Sequence, residues 1–133
     1  MVKLILSVFV GSGMGGVMRY LVNLATDRFF PAASRCGEMP VPAATFAVNI
    51  AGCFLIGVFY AVLSRCSSSW PDSMRLMLTT GFCGGLTTFS TFSQESLTLI
   101  QSGHIACAFL YIGVSLIAGL AAVYLGTLLI SVR

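Results

Sequence analysis

Four apolar stretches divide this chain, each about as long as the roughly 20 residues a helix needs to cross a bilayer. They run Leu4–Ala25, Val41–Ser64, Met74–Gln101 and Ile105–Ile130. Helices are the element to expect in all four, because backbone facing lipid must satisfy its hydrogen bonds within its own segment. Only 8% of the residues are charged and 57% are hydrophobic, against about 25% charged in an ordinary soluble domain. So few charges do not cover a water-facing surface, and the mean hydropathy of +0.97 points the same way. The expected fold is an all-α membrane protein, with residues 1–133 forming one transmembrane domain.

The first apolar run follows Lys3 and resembles a secretory signal, but it continues past Gly11–Gly16 into Val17–Leu24. No small-x-small cleavage pattern follows it, so it reads as a retained helix. The net charge of +3 is small and scattered, unlike a nucleic-acid-binding surface. Cys36, Cys53, Cys66, Cys83 and Cys107 are odd in number and contain no CxxC pair. That spacing argues against a disulfide framework or a zinc site; Cys53, Cys83 and Cys107 sit in apolar spans as small hydrophobes.

The longest polar stretch is Thr26–Met39, between the first two spans, and Arg65–Asp72 separates the second from the third. Little more than Ser102-Gly103-His104 joins the third to the fourth, and His104 shows no partner or role. Four spans put both termini on one side, with Lys3, Arg65, Arg75 and Arg133. The other side holds Arg28 and Arg35, with Arg19 if it snorkels that way. The difference in positive charge that sets orientation is therefore small. It leaves two readings: one orientation with cytoplasmic termini, or insertion both ways and an antiparallel dimer.

Gly11-Ser12-Gly13-Met14-Gly15-Gly16 matches the GxGxxG dinucleotide fingerprint literally. The fingerprint needs a preceding strand, a βαβ unit and an acid about 20 residues on, and a membrane span surrounds it here. Close helix packing explains it better, as it does Gly52, Gly57, Gly113, Gly119 and Gly126 in the later spans.

Polar groups inside a span are costly and often functional. Asn49, one turn after Thr45, offers donors and an acceptor and reads either as interhelical glue or as a functional amide. The third span contains Gly84-Gly85-Leu86-Thr87-Thr88, poor material for a continuous helix. A break is expected there at mid-membrane depth, with freed carbonyls and amides lining a cavity or buried in protein. In transporters, broken helices use such carbonyls to hold Na⁺. After the break, Phe89 and Phe92 share a helical face. Their ring edges carry partial positive charge and suit an anion. Ser90, Thr91 and Ser93 add hydroxyls. Glu95 reads either as a solvated acid near the span's end or as an acceptor of bonds from Ser or Thr hydroxyls, orienting their protons toward an anion. Tyr111 and Ser115 share a face of the fourth span, which Gly119 continues without a donor. Arg19 reads as an anion-attracting vestibule charge or as a snorkelling side chain.

The sequence resembles the CrcB/Fluc fluoride channel family over nearly its whole length. The likeness rests on Gly15-Gly16-Val17-Met18-Arg19-Tyr20, on Thr45–Gly57, and above all on Gly81–Glu95. The resemblance implies a dual-topology antiparallel homodimer in the cell (inner) membrane, with two pores passively exporting fluoride. It implies a pore along Asn49, Phe89, Ser90, Thr91, Phe92, Glu95, Tyr111 and Ser115. It also implies one structural Na⁺ at the dimer centre, held by the carbonyls of Gly84 and Thr87. Gly119 departs from the family pattern, where a second serine is expected. A small dual-topology multidrug/proton exchanger is the alternative, but it needs an acid in the first span, which holds none. A non-transporting scaffold leaves the break and its paired aromatics unexplained.

Overall fold

The computed structural model describes residues 1–29, 35–36, 39–40, 42–65 and 70–131. Of the residues named above, Val41, Cys66 and Arg133 lie outside the described set, and Arg35, Cys36 and Met39 are described in their backbone only. Helix α1 is Val2–Phe29, α2 is Ala43–Arg65 and α6 is Ile105–Ser131. Each is long and apolar enough to cross a membrane. The segment between α2 and α6 is divided. It starts with α3 (Asp72–Leu76), widens into a π-helical stretch over Met77–Cys83, tightens into α4 (Gly84–Leu86) and resumes as α5 (Phe89–Gln101). A two-residue antiparallel pairing, β1 (Arg35–Cys36) with β2 (Met39–Pro40), lies between α1 and α2.

Two expectations shift. Helix α1 runs a turn beyond Ala25, taking Thr26, Asp27 and Arg28 out of the expected loop. The Thr26 hydroxyl bonds back to the Val22 carbonyl at 2.8 Å, and Arg28 in the last turn suits the negative end of the helix dipole. The break is also narrower than Gly84–Thr88. Gly84 has helical φ −65° and ψ −36°. Only Thr87 (φ −77°, ψ 154°) and Thr88 (φ −146°, ψ 112°) are extended.

Gly85 is there for packing: a Cβ on it would stand 2.5 Å from the Ser12 carbonyl oxygen. Gly11 and Gly81 meet the same way, and a Cβ on Gly15 would collide with the Phe82 carbonyl. Two glycines of the false dinucleotide motif thus let α1 lie directly on the divided segment, its main partner. A Cβ on Gly13 or Gly16 would meet nothing within 4 Å among the described residues. The other main packing pair is α2 on α6. There Gly57 faces the Val123 carbonyl and Gly126 faces the Phe54 carbonyl, again with no room for a side chain.

Most other surface is apolar and uncovered. Phe9 is 75% exposed, Ile117 72% and Leu120 75%. In water such a surface would be a severe liability; lipid is its solvent. The protein is an integral, multi-pass membrane protein.

The turn between α5 and α6 aligns the site. Gly103 has φ +83°, a backbone conformation open to glycine at little cost. It lets the His104 N–H reach the Leu99 carbonyl at 2.9 Å and the Gly103 N–H reach the Ile100 carbonyl at 3.0 Å. This is a Schellman cap. It reverses the chain tightly enough for α6 to run back along α5.

Candidate functional site

At the break two residues leave helical geometry, and their backbone polar groups need new partners. The Thr87 N–H still reaches the Cys83 carbonyl at 3.0 Å. The Thr87 carbonyl accepts from Arg19 Nη1 at 3.3 Å. The Thr88 N–H donates to Asn49 Oδ1 at 2.8 Å, and the Thr88 carbonyl accepts from Asn49 Nδ2 at 3.3 Å. The Asn49 amide thus pairs with Thr88 as a neighbouring strand would. Side chains from α1 and α2 replace the partners the helix gave up.

Thr88 then starts the next helix. Its hydroxyl oxygen accepts from the Thr91 N–H at 3.2 Å, an N-cap. The same hydroxyl donates to Thr91 Oγ1 at 2.9 Å and lies 3.3 Å from Ser90 Oγ. Thr88 is buried, whereas Ser90 and Phe89 are exposed, Phe89 by 77%. Phe92 is half-buried between two rings. Its centroid lies 5.9 Å from that of Phe89, tilted by 41°, and 5.2 Å from that of Tyr111, tilted by 52°. Both geometries fall in the tilted range in which ring edges approach ring faces.

One turn on, Glu95 joins three helices. Thr45 on α2 donates to Oε1 at 2.6 Å and Tyr111 on α6 donates to Oε2 at 3.0 Å. Glu95 is therefore half-buried and hydrogen-bonded: it accepts from a threonine hydroxyl, as its second reading has it, and also from the Tyr111 phenol. Beside it opens a cleft of about 340 Å³, lined among others by Asn23, Asp27, Thr45, Gln94, Glu95 and Thr98. Ser115, one turn past Tyr111, has its hydroxyl buried with no hydrogen-bond partner among the described residues. Gly119 is buried toward α2, where a Cβ would touch Cys53 Sγ at 3.5 Å.

Gly84 and Thr87 line a second cleft, of about 290 Å³, with Gly52, Cys53, Thr79 and Cys83. The amide that would close a helical turn on the Gly84 carbonyl is that of Thr88, and it is turned to Asn49 instead. The Thr87 carbonyl stands outside any helix, with one lone pair beyond the one Arg19 uses. Two carbonyls released from helical bonding, three residues apart, fit a hard monovalent cation.

The structure gathers Asn49, Ser90, Thr91, Phe92, Glu95 and Tyr111 along the first half of α5. It places the Arg19 guanidinium against the break, on the Thr87 carbonyl. Sequence reasoning treated Thr88 only as part of the break and Thr45 only as a neighbour of Asn49. The available signal for Thr88 was its position three residues before Thr91, the spacing of a hydroxyl N-cap. The signal for Thr45 was weaker: a polar residue in an apolar span, on the same helix as Asn49.

The sequence pattern described as CrcB-like protein, Camphor Resistance (CrcB), matches residues 6–127. A Phocaeicola vulgatus protein named fluoride-specific ion channel FluC is 48% identical over 124 residues, 93% of this chain and 95% of that one. A Flavobacterium psychrophilum protein of the same name is 41% identical over 127 residues, 96% of each chain. One from Escherichia coli strain HS is 41% identical over 121 residues, 91% of this chain and 88% of that one. With a family match over most of its length and relatives this similar from end to end, the chain belongs to the CrcB-like protein family.

Proposed function

We propose that this protein is a fluoride-specific ion channel, not an enzyme, and that it carries fluoride passively out of the cell across the inner (plasma) membrane. The observation that carries the reading is the end-to-end similarity to proteins named fluoride-specific ion channels. The local chemistry supports it. Fluoride is small and strongly hydrated, so a pore must replace its water with donors while holding the ion weakly enough to release it. Around the start of α5 lie the Asn49 amide, the Ser90 and Thr91 hydroxyls, and the rings of Phe89 and Phe92. Tyr111, Glu95 and Ser115 continue this polar line along the α5–α6 pair. None of these is a formal cation that would trap the anion. Arg19 supplies positive charge nearby without lying on the line itself.

In this reading the divided segment is a fourth span, broken at mid-membrane, and two subunits pair antiparallel by dual topology. The exposed ring of Phe89 and the unfilled faces of Gly13, Gly84 and Gly113 accord with a second subunit covering part of the surface. A structural Na⁺ at the centre would be held by the Gly84 and Thr87 carbonyls of both subunits. When bound it supplies a fixed positive charge that lowers the cost of an anion nearby and ties the broken segments together. The multidrug/proton exchanger fits less well, because the apolar body of α1 has no acid; Asp27 lies exposed in its last turn.

The deciding experiment is efflux from liposomes holding purified protein, with fluoride and chloride recorded separately. Fluoride should leave quickly and chloride should stay. Equal rates, or no fluoride efflux, would end the proposal.

A further inference from the structure

We propose that Asn49 is a positioning residue, whose main task is to hold the backbone of Thr88 rather than to serve as a ligand for the passing ion. The inference rests on the channel reading above and changes the role of one residue in it. An asparagine amide offers two N–H donors and one acceptor oxygen. Two of these three are engaged by one peptide neighbour: Oδ1 by the Thr88 N–H at 2.8 Å, and one Nδ2 hydrogen by the Thr88 carbonyl at 3.3 Å. A single N–H remains for anything else.

The clamp sits where the chain is least able to hold its own shape. Thr87 and Thr88 are the two extended residues between helical segments, and Thr88 is buried, away from water that would otherwise solvate its amide. An unpaired backbone amide there is costly enough to pull the segment toward a continuous helix. Asn49 removes that pull by supplying both partners at once.

The consequence runs down the chain. Held in this position, the Thr88 hydroxyl caps α5 through the Thr91 N–H, donates to Thr91 Oγ1 and lies beside Ser90 Oγ. Phe89 is the first residue of the helix so started, and Phe92 follows one turn later. Where Asn49 holds Thr88 therefore decides where the hydroxyls and both rings stand. Asn49 acts on the ion through Thr88.

Hydrogen exchange at the Thr88 amide tests this without any flux measurement. In the reconstituted wild-type protein this amide should exchange slowly, equally so with and without fluoride. Asn49→Ala should speed its exchange by at least about tenfold, as for a locally opened site. Asn49→Asp, which keeps the acceptor, should preserve most of the protection. Fast exchange in the wild type, or protection unchanged in Asn49→Ala, overturns the proposal even if the channel reading stands.

A second measurement replaces the Thr88 amide by an ester, deleting only its N–H. Fluoride efflux should fall by at least about tenfold, and adding Asn49→Ala should lower it less than the product of the two separate effects, as for coupled sites. The ester also weakens the Thr87 carbonyl, but a loss by that route would multiply with that of Asn49→Ala. Wild-type efflux from the ester, alongside failed efflux in Asn49→Ala, would make Asn49 a direct ligand and sink the proposal. Absence of fluoride efflux in the wild type would instead count against the channel reading and leave the exchange result to judge the clamp.

Discussion

The Thr45 hydroxyl donates a 2.6 Å hydrogen bond to Glu95 Oε1 across 50 residues of sequence, tying the start of α2 to the middle of α5. Tyr111 holds the other carboxylate oxygen from α6 at 3.0 Å. Removing either donor leaves a half-buried carboxylate oxygen short of a partner. Thr45→Val and Tyr111→Phe should each destabilise the protein by about 1–3 kcal/mol, the usual cost of losing a bond to a charged group. Thermal unfolding in detergent reads this directly. If Glu95 were simply solvated, neither substitution would move the midpoint.

Phe89 and Phe92 separate a role in conduction from a role in packing. Both Phe89→Ile and Phe92→Ile should cut fluoride efflux, since each removes a ring edge from the proposed path. Only Phe92 lies between two other rings, and each such contact is worth about 0.5–1.5 kcal/mol. Phe92→Ile, which loses both contacts, should therefore lower the unfolding midpoint more than Phe89→Ile, which loses only one at an exposed position. Unchanged efflux in both variants would remove the ring-edge argument.

The α2–α6 contact gives a prediction independent of any ion. Gly57→Ala and Gly126→Ala place a methyl group against the Val123 and Phe54 carbonyls. Overpacking of this kind costs about 1–3 kcal/mol. Gly113→Ala meets nothing within 4 Å among the described residues and should leave the midpoint unchanged. A midpoint insensitive to Gly57→Ala would mean that α2 and α6 do not pack as closely as described.

A central cation should reveal itself as a stabilising ligand. Replacing Na⁺ by a bulky organic cation in the same buffer should lower the unfolding midpoint. At a concentration 100 times its Kd, a ligand stabilises the folded state by about 2.7 kcal/mol. Identical midpoints in the two salts would argue against a cation on the Gly84 and Thr87 carbonyls.

Orientation is open to labelling. Tags on both termini, probed from each side of sealed membranes, should be partly accessible from both. One-sided labelling would rule out dual topology.

Much of this protein was legible from sequence because lipid enforces simple rules. Apolar runs of membrane length must be helical, so α1, α2 and α6 fell close to the expected bounds. The polar residues of the third stretch stood out because each is expensive inside a membrane. The break was expected across Gly84–Thr88, from two glycines and two threonines together, yet both glycines are helical and the two threonines carry it. Composition does not reveal that Gly85 answers to Ser12 on α1, more than 70 residues away in sequence. Nor does local spacing show that Asn49 will reach Thr88, that Arg19 will reach Thr87, or that Thr45 and Tyr111 will share Glu95. Sequence alone determined the solvent, the helices and the stretch that breaks. Tertiary structure decided where it breaks and which side chains hold it open. A backbone amide bonds to whatever partner packing brings within 3 Å, and periodicity along one segment carries no information about that partner.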